Sequence, residues 1–437
     1  MKRVELTIEK LIYGGDGLAR ITSTDGGARA KTVFVPYVLP GEQVEVGITE
    51  ERPGFARARL ERVLQASHLR SLPPCPYFGR CGGCHYQHTS YDEQLRFKSE
   101  ILLETLRRVA KLDLPMEIQT HPSLPLNYRN RTRFHMRPHP YFAAGYFHHG
   151  SHELLPVHEC PISSPLLNSA LKELWRVGEA GKVPAAISEI EFFANENEER
   201  LMVELYVRLG DRGSDALAKF AHHFTAAVPE TYGIATLSRS NSRVPSQQPA
   251  EVLYGQPTMT YVVSGETYQV SAGSFFQTNR HLVSRMVQLA IGDRTGKLAL
   301  DLYSGVGLFA VPLARHFERV IAVESFPASS TNLRANVPEN VKVSGQSTEI
   351  YLQSVAGKLK PDLVLVDPPR AGLGPAVCKQ IEKLKANEVV YVSCDPATLS
   401  RDLKQLTAAG LKIAEIHFVD LFPQTFHIES ITLLHRS

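Results

Sequence analysis

No stretch of this chain stays apolar long enough to cross a bilayer. The longest runs, such as Asp362-Leu363-Val364-Leu365-Val366, have the length of a buried strand. The start, Met1-Lys2-Arg3-Val4-Glu5-Leu6, lacks the apolar centre of a signal peptide. There is no internal repeat and no low-complexity tract; the nearest thing to a polar loop is 238–250. Charge of one sign is not in excess either. The 48 Lys and Arg face 45 Asp and Glu, a net charge of +3. Overall charge therefore does not establish a nucleic-acid partner, and local basic patches have to carry that argument. Cysteine is scarce, at six residues in 437. Together these absences lead us to expect a cytoplasmic protein that touches no membrane, its cysteines thiols or metal ligands rather than disulfides.

What is present falls into three regions, within the roughly two to four domains that the length allows. Residues 1–66 carry short strands separated by Gly and Pro turns: Val4 to Ile8, Lys31 to Val35 and Gln43 to Val46, with Tyr13-Gly14-Gly15-Asp16-Gly17 and Leu39-Pro40-Gly41 between them. Such spacing predicts a small OB-like β-barrel, and the pattern resembles the TRAM domain of RNA-modifying enzymes. A helix is expected over 91–112, with Leu95, Leu102, Leu106 and Val109 on its apolar face. Residues 118–272 read as mostly strand, including a hairpin of Glu189 to Phe193 with Leu201 to Val207. From about 280, apolar strands alternate with helical stretches, which implies a parallel, doubly wound sheet.

The strand Leu298 to Leu302 runs into Tyr303-Ser304-Gly305-Val306-Gly307, a turn whose glycines let a ligand approach the backbone. The next strand, Val320 to Val323, ends in Glu324, suitably placed for ribose hydroxyls. Asp301 would be awkward beside a pyrophosphate and better suited to an ammonium group. D-x-x-x-G-x-G resembles motif I of class I S-adenosylmethionine methyltransferases.

Two further strand ends supply chemistry: Asp367-Pro368-Pro369-Arg370 and Ser393-Cys394-Asp395-Pro396. Near the C-terminus, His427-Ile428-Glu429-Ser430 offers a carboxylate just before a strand. Cysteine plus carboxylate answers a specific difficulty. C5 of uracil is too poor a nucleophile to take a methyl group unaided. A thiolate adding to C6 makes C5 nucleophilic, and a carboxylate then removes the C5 proton. Cys378, on a helical stretch, is expected to be an inert buried thiol.

Taken together, these segments resemble the RNA (uracil-5-)-methyltransferase family along nearly the whole chain. The resemblance implies that Cys394 is the nucleophile and Glu429 the general base. It implies that Gln277 of Ser274-Phe275-Phe276-Gln277, with Tyr303, Glu324 and Asp367, binds S-adenosylmethionine. It also implies that Phe275 stacks near the target base and that Asp367 touches uracil.

Cys75-x5-Cys81-x2-Cys84 and the distant Cys160 make a set of four cysteines. Four thiolates suit an iron–sulfur cluster or zinc; resemblance to the ribosomal-RNA branch implies a [4Fe-4S] cluster. Arg129, Arg131, Arg133 and Arg137 alternate on an expected strand beside Tyr128 and Phe134, a face suited to RNA. The target uridine has to leave its stack, because C5 and C6 cannot be attacked inside a helix.

The whole is thus expected to be a multidomain α/β protein, acting as a monomer. It comprises a barrel over 1–66, a β-rich central domain with the cluster over 67–89 and 118–272, and a Rossmann-like methyltransferase domain over 90–117 and 273–437. Large-subunit ribosomal RNA is the expected substrate. Transfer RNA is one alternative and a TRAM-bearing radical iron–sulfur enzyme another. A methyltransferase of exocyclic amines would carry an aromatic residue where Arg370 stands, and would not need Cys394.

Overall fold

The computed structural model describes residues 2–21, 31–112, 117–238 and 249–436. Most of the polar stretch 238–250 lies outside them, as do Met1 and part of the expected barrel.

The N-terminal strands form a six-stranded sheet in the order Arg3–Thr7, Gln43–Arg52, Phe55–Gln65, Lys31–Pro36, Asp16–Ile21, Lys10–Leu11. Its two edges are held by one continuous segment. Ile8 N donates to Glu42 O at 2.9 Å and Glu9 N to Leu18 O at 2.8 Å, so residues 3–11 close the sheet on itself. Register shifts along Gln43–Arg52 bend the long strands, as bulges do. Alternate residues (Val33 and Val35, Val44 and Val46, Ala56 and Ala58) point into one core.

The central region is a seven-stranded sheet: Leu154–Pro156, Ala143–Phe147, Arg131–Arg137, Ile187–Ala194, Leu201–Val207, Thr231–Ser238, Glu251–Gly255. The expected hairpin pairs antiparallel, Phe192 opposite Val203. Two helices that the mostly-strand expectation did not name lie here: Pro165–Glu179 and Asp215–Ala227. Leu167, Leu171, Leu174 and Val177 recur at helical spacing and are buried against the sheet with Phe220 and Phe224. The period is 3.6 rather than 2, and the sequence reading missed it.

The third sheet has eight strands, labelled here β1 (Gln119–His121), β2 (Gly296–Leu302), β3 (Phe317–Val323), β4 (Val341–Ser344), β5 (Leu363–Val366), β6 (Glu388–Ser393), β7 (Leu411–Val419) and β8 (Glu429–Arg436). Their order is β4-β3-β2-β5-β6-β8-β7-β1. Strands β2 to β6 are parallel, and β8 inserts antiparallel beside β6. β1 pairs with the edge strand β7, so 119–121 completes this sheet rather than the central one. The hairpin Thr258–Val263 and Glu266–Ser271 also packs here, through Met259, Tyr261 and Tyr268.

The expected helix over 91–112 is α-helical from Tyr91 to Thr105 and then makes one π turn to Ala110. Its buried face is rotated from the expected one. Leu102 and Leu106 are buried, but Val109 is 36% exposed, while Gln94, Phe97, Lys98 and Ile101 face inward. Lys98 is tolerated inside because its Nζ meets Asp420 Oδ1 at 2.7 Å and Phe422 O at 2.9 Å.

Candidate active site

In an open parallel sheet the carboxyl ends of the strands face one crevice, and a ligand sits where the strand order reverses. Here that point lies between β2 and its neighbours β3 and β5. Register aligns Leu302 with Val323 and with Val366. The residues that follow, Tyr303, Glu324 and Asp367, therefore stand side by side. Tyr303 takes the left-handed conformation (φ 64°), and Gly305 and Gly307 follow at φ 57° and 100°. A Cβ on Gly305 would meet nothing within 4 Å, so the turn borders open space. Glu324 is half-buried and pins the turn: Oε2 accepts from Gly305 N at 2.9 Å and Oε1 from Phe326 N at 2.6 Å.

Asp301 lies beneath this turn, 0% exposed; its carboxylate makes no well-formed hydrogen bond among the described residues, though the Ser304 hydroxyl and Ala310 N–H stand near it. Burial above all pushes its pKa up to about 7; the Ser304 hydroxyl opposes this and the charge of neighbouring Asp367 adds to it. Burial does the same to Asp367, also to about 7. A buried carboxylate without a cationic partner is costly. An acid here, below a glycine turn at a strand end, would suit an ammonium group.

Gln277 is buried, in the segment that leads from the hairpin to this sheet. Ser274 Oγ and Asn279 Nδ2 anchor that segment to Asn332 Oδ1 and Leu421 O. Of the two neighbouring phenylalanines, Phe276 belongs to the core and Phe275 is 65% exposed.

Cys394 follows β6 directly, and Asp395 caps the next helix, Pro396–Ala408, accepting from Ala397 N and Thr398 N at 3.0 and 2.9 Å. The thiol thus stands where a strand end meets a helix N-terminus. The β6–β8 ladder pairs Ser393 with Ser430. One step further along the same register, Cys394 faces Glu429, within cross-strand reach. Glu429 is buried, and burial followed by Asp367 raises its pKa well above the ordinary value, with Arg370 opposing. Burial and then the charges of Glu429 and Asp367 push the Cys394 thiol up to about 12, again with Arg370 opposing. Arg370 in turn meets the His427 ring at 3.1 Å. Burial and this cation lower the His427 pKa to about 3, so the ring is neutral. The sequence reading did not give Arg370 or His427 a role. Both sit within two or three residues of a motif acid, which is the only sequence signal they carry. Cys378 is buried in the core on its helix, away from these groups, as expected.

The central sheet presents a groove of about 480 Å³, lined by Arg129, Arg131, Arg133, Tyr146, Tyr206 and Phe275 among others. Arg131 departs from the expected RNA-facing role. It is 8% exposed, ion-paired with Glu191 and Glu204, and its Nη1 donates to Ser274 O at 2.6 Å. The acidic residues come from neighbouring strands, which the alternation of arginines in one strand could not reveal. Arg133 is exposed, stacks on Tyr206 at 3.8 Å, and also reaches Glu191. Half-buried Arg129 lines both this groove and a second cavity.

That second cavity, of about 60 Å³, is lined by all four of Cys75, Cys81, Cys84 and Cys160. All four are free thiols, and burial pushes Cys81 up to about 11. Backbone bonds hold the loops: Cys81 N to Tyr77 O at 2.8 Å, and Cys160 N to Asn168 Oδ1 at 2.9 Å. Among the described residues no three His, Cys, Asp or Glu side chains are placed to hold a single metal ion. Likewise, among them no helix is long and apolar enough to cross a membrane.

Residues 90–437 match the family model described as tRNA (uracil-5-)-methyltransferase, and residues 2–60 match the TRAM domain. A 23S rRNA (uracil(1939)-C(5))-methyltransferase of Pectobacterium carotovorum is 33% identical over 451 residues, covering 99% of this chain and 94% of that protein. An RNA methyltransferase of Aquifex aeolicus is 32% identical, covering 99% and 98%. Among solved structures, the tRNA (uracil-54, C5)-methyltransferase of Pyrococcus abyssi, in complex with S-adenosyl-L-homocysteine, superposes with a TM-score of 0.75 at 25% identity, covering 99% of this chain and 100% of that one.

Proposed function

Since the chain belongs to the tRNA (uracil-5-)-methyltransferase family, we propose that it methylates a uridine of large-subunit ribosomal RNA, with Cys394 as nucleophile and Glu429 as base. That it is an S-adenosylmethionine-dependent RNA uracil-C5 methyltransferase follows from the family and its relatives. The observation that carries the residue roles is the β6–β8 register, which sets Cys394 across from Glu429 at the edge of the acidic crevice.

In this reading the Cys394 thiol gives up its proton to solvent, the thiolate sulfur bonds to C6 of the uracil, and the ring electrons move onto O4 as an enolate. The methyl donor supplies an electrophilic carbon on a sulfonium; C5 takes that carbon and S-adenosylhomocysteine is released. Glu429, short of water and therefore a stronger base once ionised, takes the C5 proton. The electrons of that C–H bond re-form the double bond, and the C6–S bond breaks to return the thiolate. Asp301 takes the donor's amino group, Glu324 its ribose and Tyr303 its adenine edge, while Gln277 and Asp367 complete the pocket. Phe275, exposed beside the groove, stacks on RNA bases, and Arg129 and Arg133 hold phosphates.

Ribosomal RNA is supported by the 23S rRNA uracil-C5 methyltransferases among the relatives, one of them 33% identical over 99% of this chain. The four cysteines, which line one cavity, are the residues that would hold a [4Fe-4S] cluster. No iron is left open when four cysteines ligate, which argues against the radical alternative. We also propose to move the expected domain limits from 118–272 to 122–257 for the central domain, and from 90–117 and 273–437 to 90–121 and 258–437 for the methyltransferase domain; the pairing of Gln119–His121 with β7 and the packing of the 258–271 hairpin support this.

The test is incubation with S-adenosylmethionine and unmodified transcripts of large-subunit ribosomal RNA and of transfer RNA. The expected product is 5-methyluridine in the ribosomal transcript, absent with Cys394→Ala. Product in transfer RNA alone would overturn the substrate, and an active Cys394→Ala would overturn the covalent route. Iron and sulfide content of Cys75→Ser against the unaltered protein tests the cluster.

A further inference from the structure

The loop 12–15 of the N-terminal barrel reaches the catalytic centre. Leu11, at the end of a barrel strand, is buried in the core cluster of the methyltransferase sheet rather than in the barrel's own. The chain then turns sharply: Ile12 N donates to Asp16 O at 2.9 Å and Gly15 N to Ile12 O at 3.2 Å. Gly14 and Gly15 have φ of 110° and 91°, and a Cβ on Gly15 would strike His85 at 2.8 Å. The turn is therefore seated on the cysteine-bearing segment with no room to shift. Its Tyr13 is half-buried, and the hydroxyl lies 3.4 Å from Cys394 O and within hydrogen-bond reach of the Asp395 carboxylate, so its proton is shared between two residues of the same turn. The ring stands edge-on to Phe426 (centroids 5.5 Å apart, planes at 86°), and Phe426 stands edge-on to His85 at 4.7 Å. Burial, then the charge of Asp395, holds the phenol protonated, so it remains a donor.

We propose that Tyr13 is a positioning residue of the methyl-transfer reaction: from the barrel it fixes the Ser393-Cys394-Asp395 turn, and with it the direction of the sulfur. This rests on Cys394 being the nucleophile. The barrel is then part of the catalytic apparatus as well as a grip on RNA. The second barrel contact with this region, Tyr37 Oη to Cys81 O at 3.5 Å, lies at the cysteine segment and leaves Cys394 untouched.

Three variants test this on the full chain with a large-subunit ribosomal RNA transcript. Tyr13→Phe removes the hydroxyl and keeps the ring. We expect kcat to fall about five- to tenfold, the loss of one hydrogen bond, with KM for RNA changed less than about twofold. Tyr13→Ala should cost about 100-fold in kcat, because small misplacements of reacting atoms are that expensive. A transcript made with 5-fluorouridine blocks the final proton removal, and its rate of covalent trapping should fall by the same factors. Lys10→Ala breaks the ion pair to Glu104 at the same junction and should leave kcat unchanged. Unchanged kcat in Tyr13→Phe, or a rise in KM alone, would overturn the proposal. An equal fall in Lys10→Ala would overturn it too, since general loosening of the barrel would then suffice. Cys394→Ala separates the two readings: if it still makes 5-methyluridine the nucleophile itself is wrong, whereas an inactive Cys394→Ala beside an unimpaired Tyr13→Phe sinks only the role of Tyr13.

Discussion

Two regions of this molecule bury charge, and they do so in opposite ways. On the central sheet buried Arg131 sits between Glu191 and Glu204, and the more exposed Arg133 reaches Glu191, so both arginines are paired. At the carboxyl edge of the methyltransferase sheet, Asp301, Asp367 and Glu429 lie close together, all with raised pKa values, and Asp301 has no cationic partner among the described residues. Satisfied charges hold a structure together. Unsatisfied ones raise its energy, and evolution keeps them where a ligand completes them. The paired arginine thus lies in the groove expected to face RNA, and the acids with raised pKa values lie at the strand ends that the motifs had marked.

The largest expected effect is at Glu429. Glu429→Gln should lower turnover by about 10³- to 10⁴-fold, as loss of a general base does. It should also accumulate a covalent RNA adduct on denaturing gels and leave thermal stability unchanged or raised. If stability instead collapsed, Glu429 would belong with the paired charges. Arg131→Met should do the reverse, costing about 3–5 kcal/mol of stability because two buried carboxylates lose their counter-charge. Denaturant unfolding checks this, and a loss below about 1 kcal/mol would place Arg131 among the surface pairs.

Asp301→Asn is next. It should weaken S-adenosylhomocysteine binding by about 10- to 100-fold in calorimetry, the range for a charged hydrogen bond. It should also change how stability depends on pH. The folded pKa of Asp301 and of Asp367 is about 7, against about 3.9 in an unfolded chain. Between those values the folded state holds more protons, so the ligand-free protein should lose stability as pH rises from about 4 to about 7. Asp301→Asn should flatten that decline. A Tm that rose with pH through this window because of these groups would contradict their unpaired state. Smallest is Arg133→Ala, on an exposed side chain. It should cost less than about 1 kcal/mol of stability and reduce the salt dependence of RNA binding by about one ion.

Much of this was legible before any fold was known. Strand ends β2, β3, β5 and β6 were visible as apolar runs closing on Tyr303, Glu324, Asp367 and Cys394, because a buried parallel strand is continuous in sequence. The barrel strands were visible for a similar reason, being short runs cut by glycine and proline. The helices Pro165–Glu179 and Asp215–Ala227 were missed because their helical period lies within a strand-rich region. The inward face of Tyr91–Thr105 was misjudged because burying Lys98 depends on Asp420, more than 300 residues on. Arg131, Arg133 and Arg137 do alternate along one strand, whereas Arg129 lies outside it, bridged to Ser163 and Asn279. Glu191 and Glu204, the partners of Arg131 and Arg133, stand on other strands, and register alone brings them together.

The sequence by itself marked the candidate chemistry: a thiol, a carboxylate and a methyl-donor site, each signalled by a short motif of neighbouring residues. Only the tertiary structure decided which charges are paired, that the β6–β8 register brings Glu429 level with Cys394, that four cysteines line one cavity, and that Tyr13 approaches the carbonyl of Cys394. The physical reason is one of range. A motif records what adjacent residues do along the backbone, whereas desolvation and pairing depend on what the fold packs against them, and sequence separation carries no trace of that.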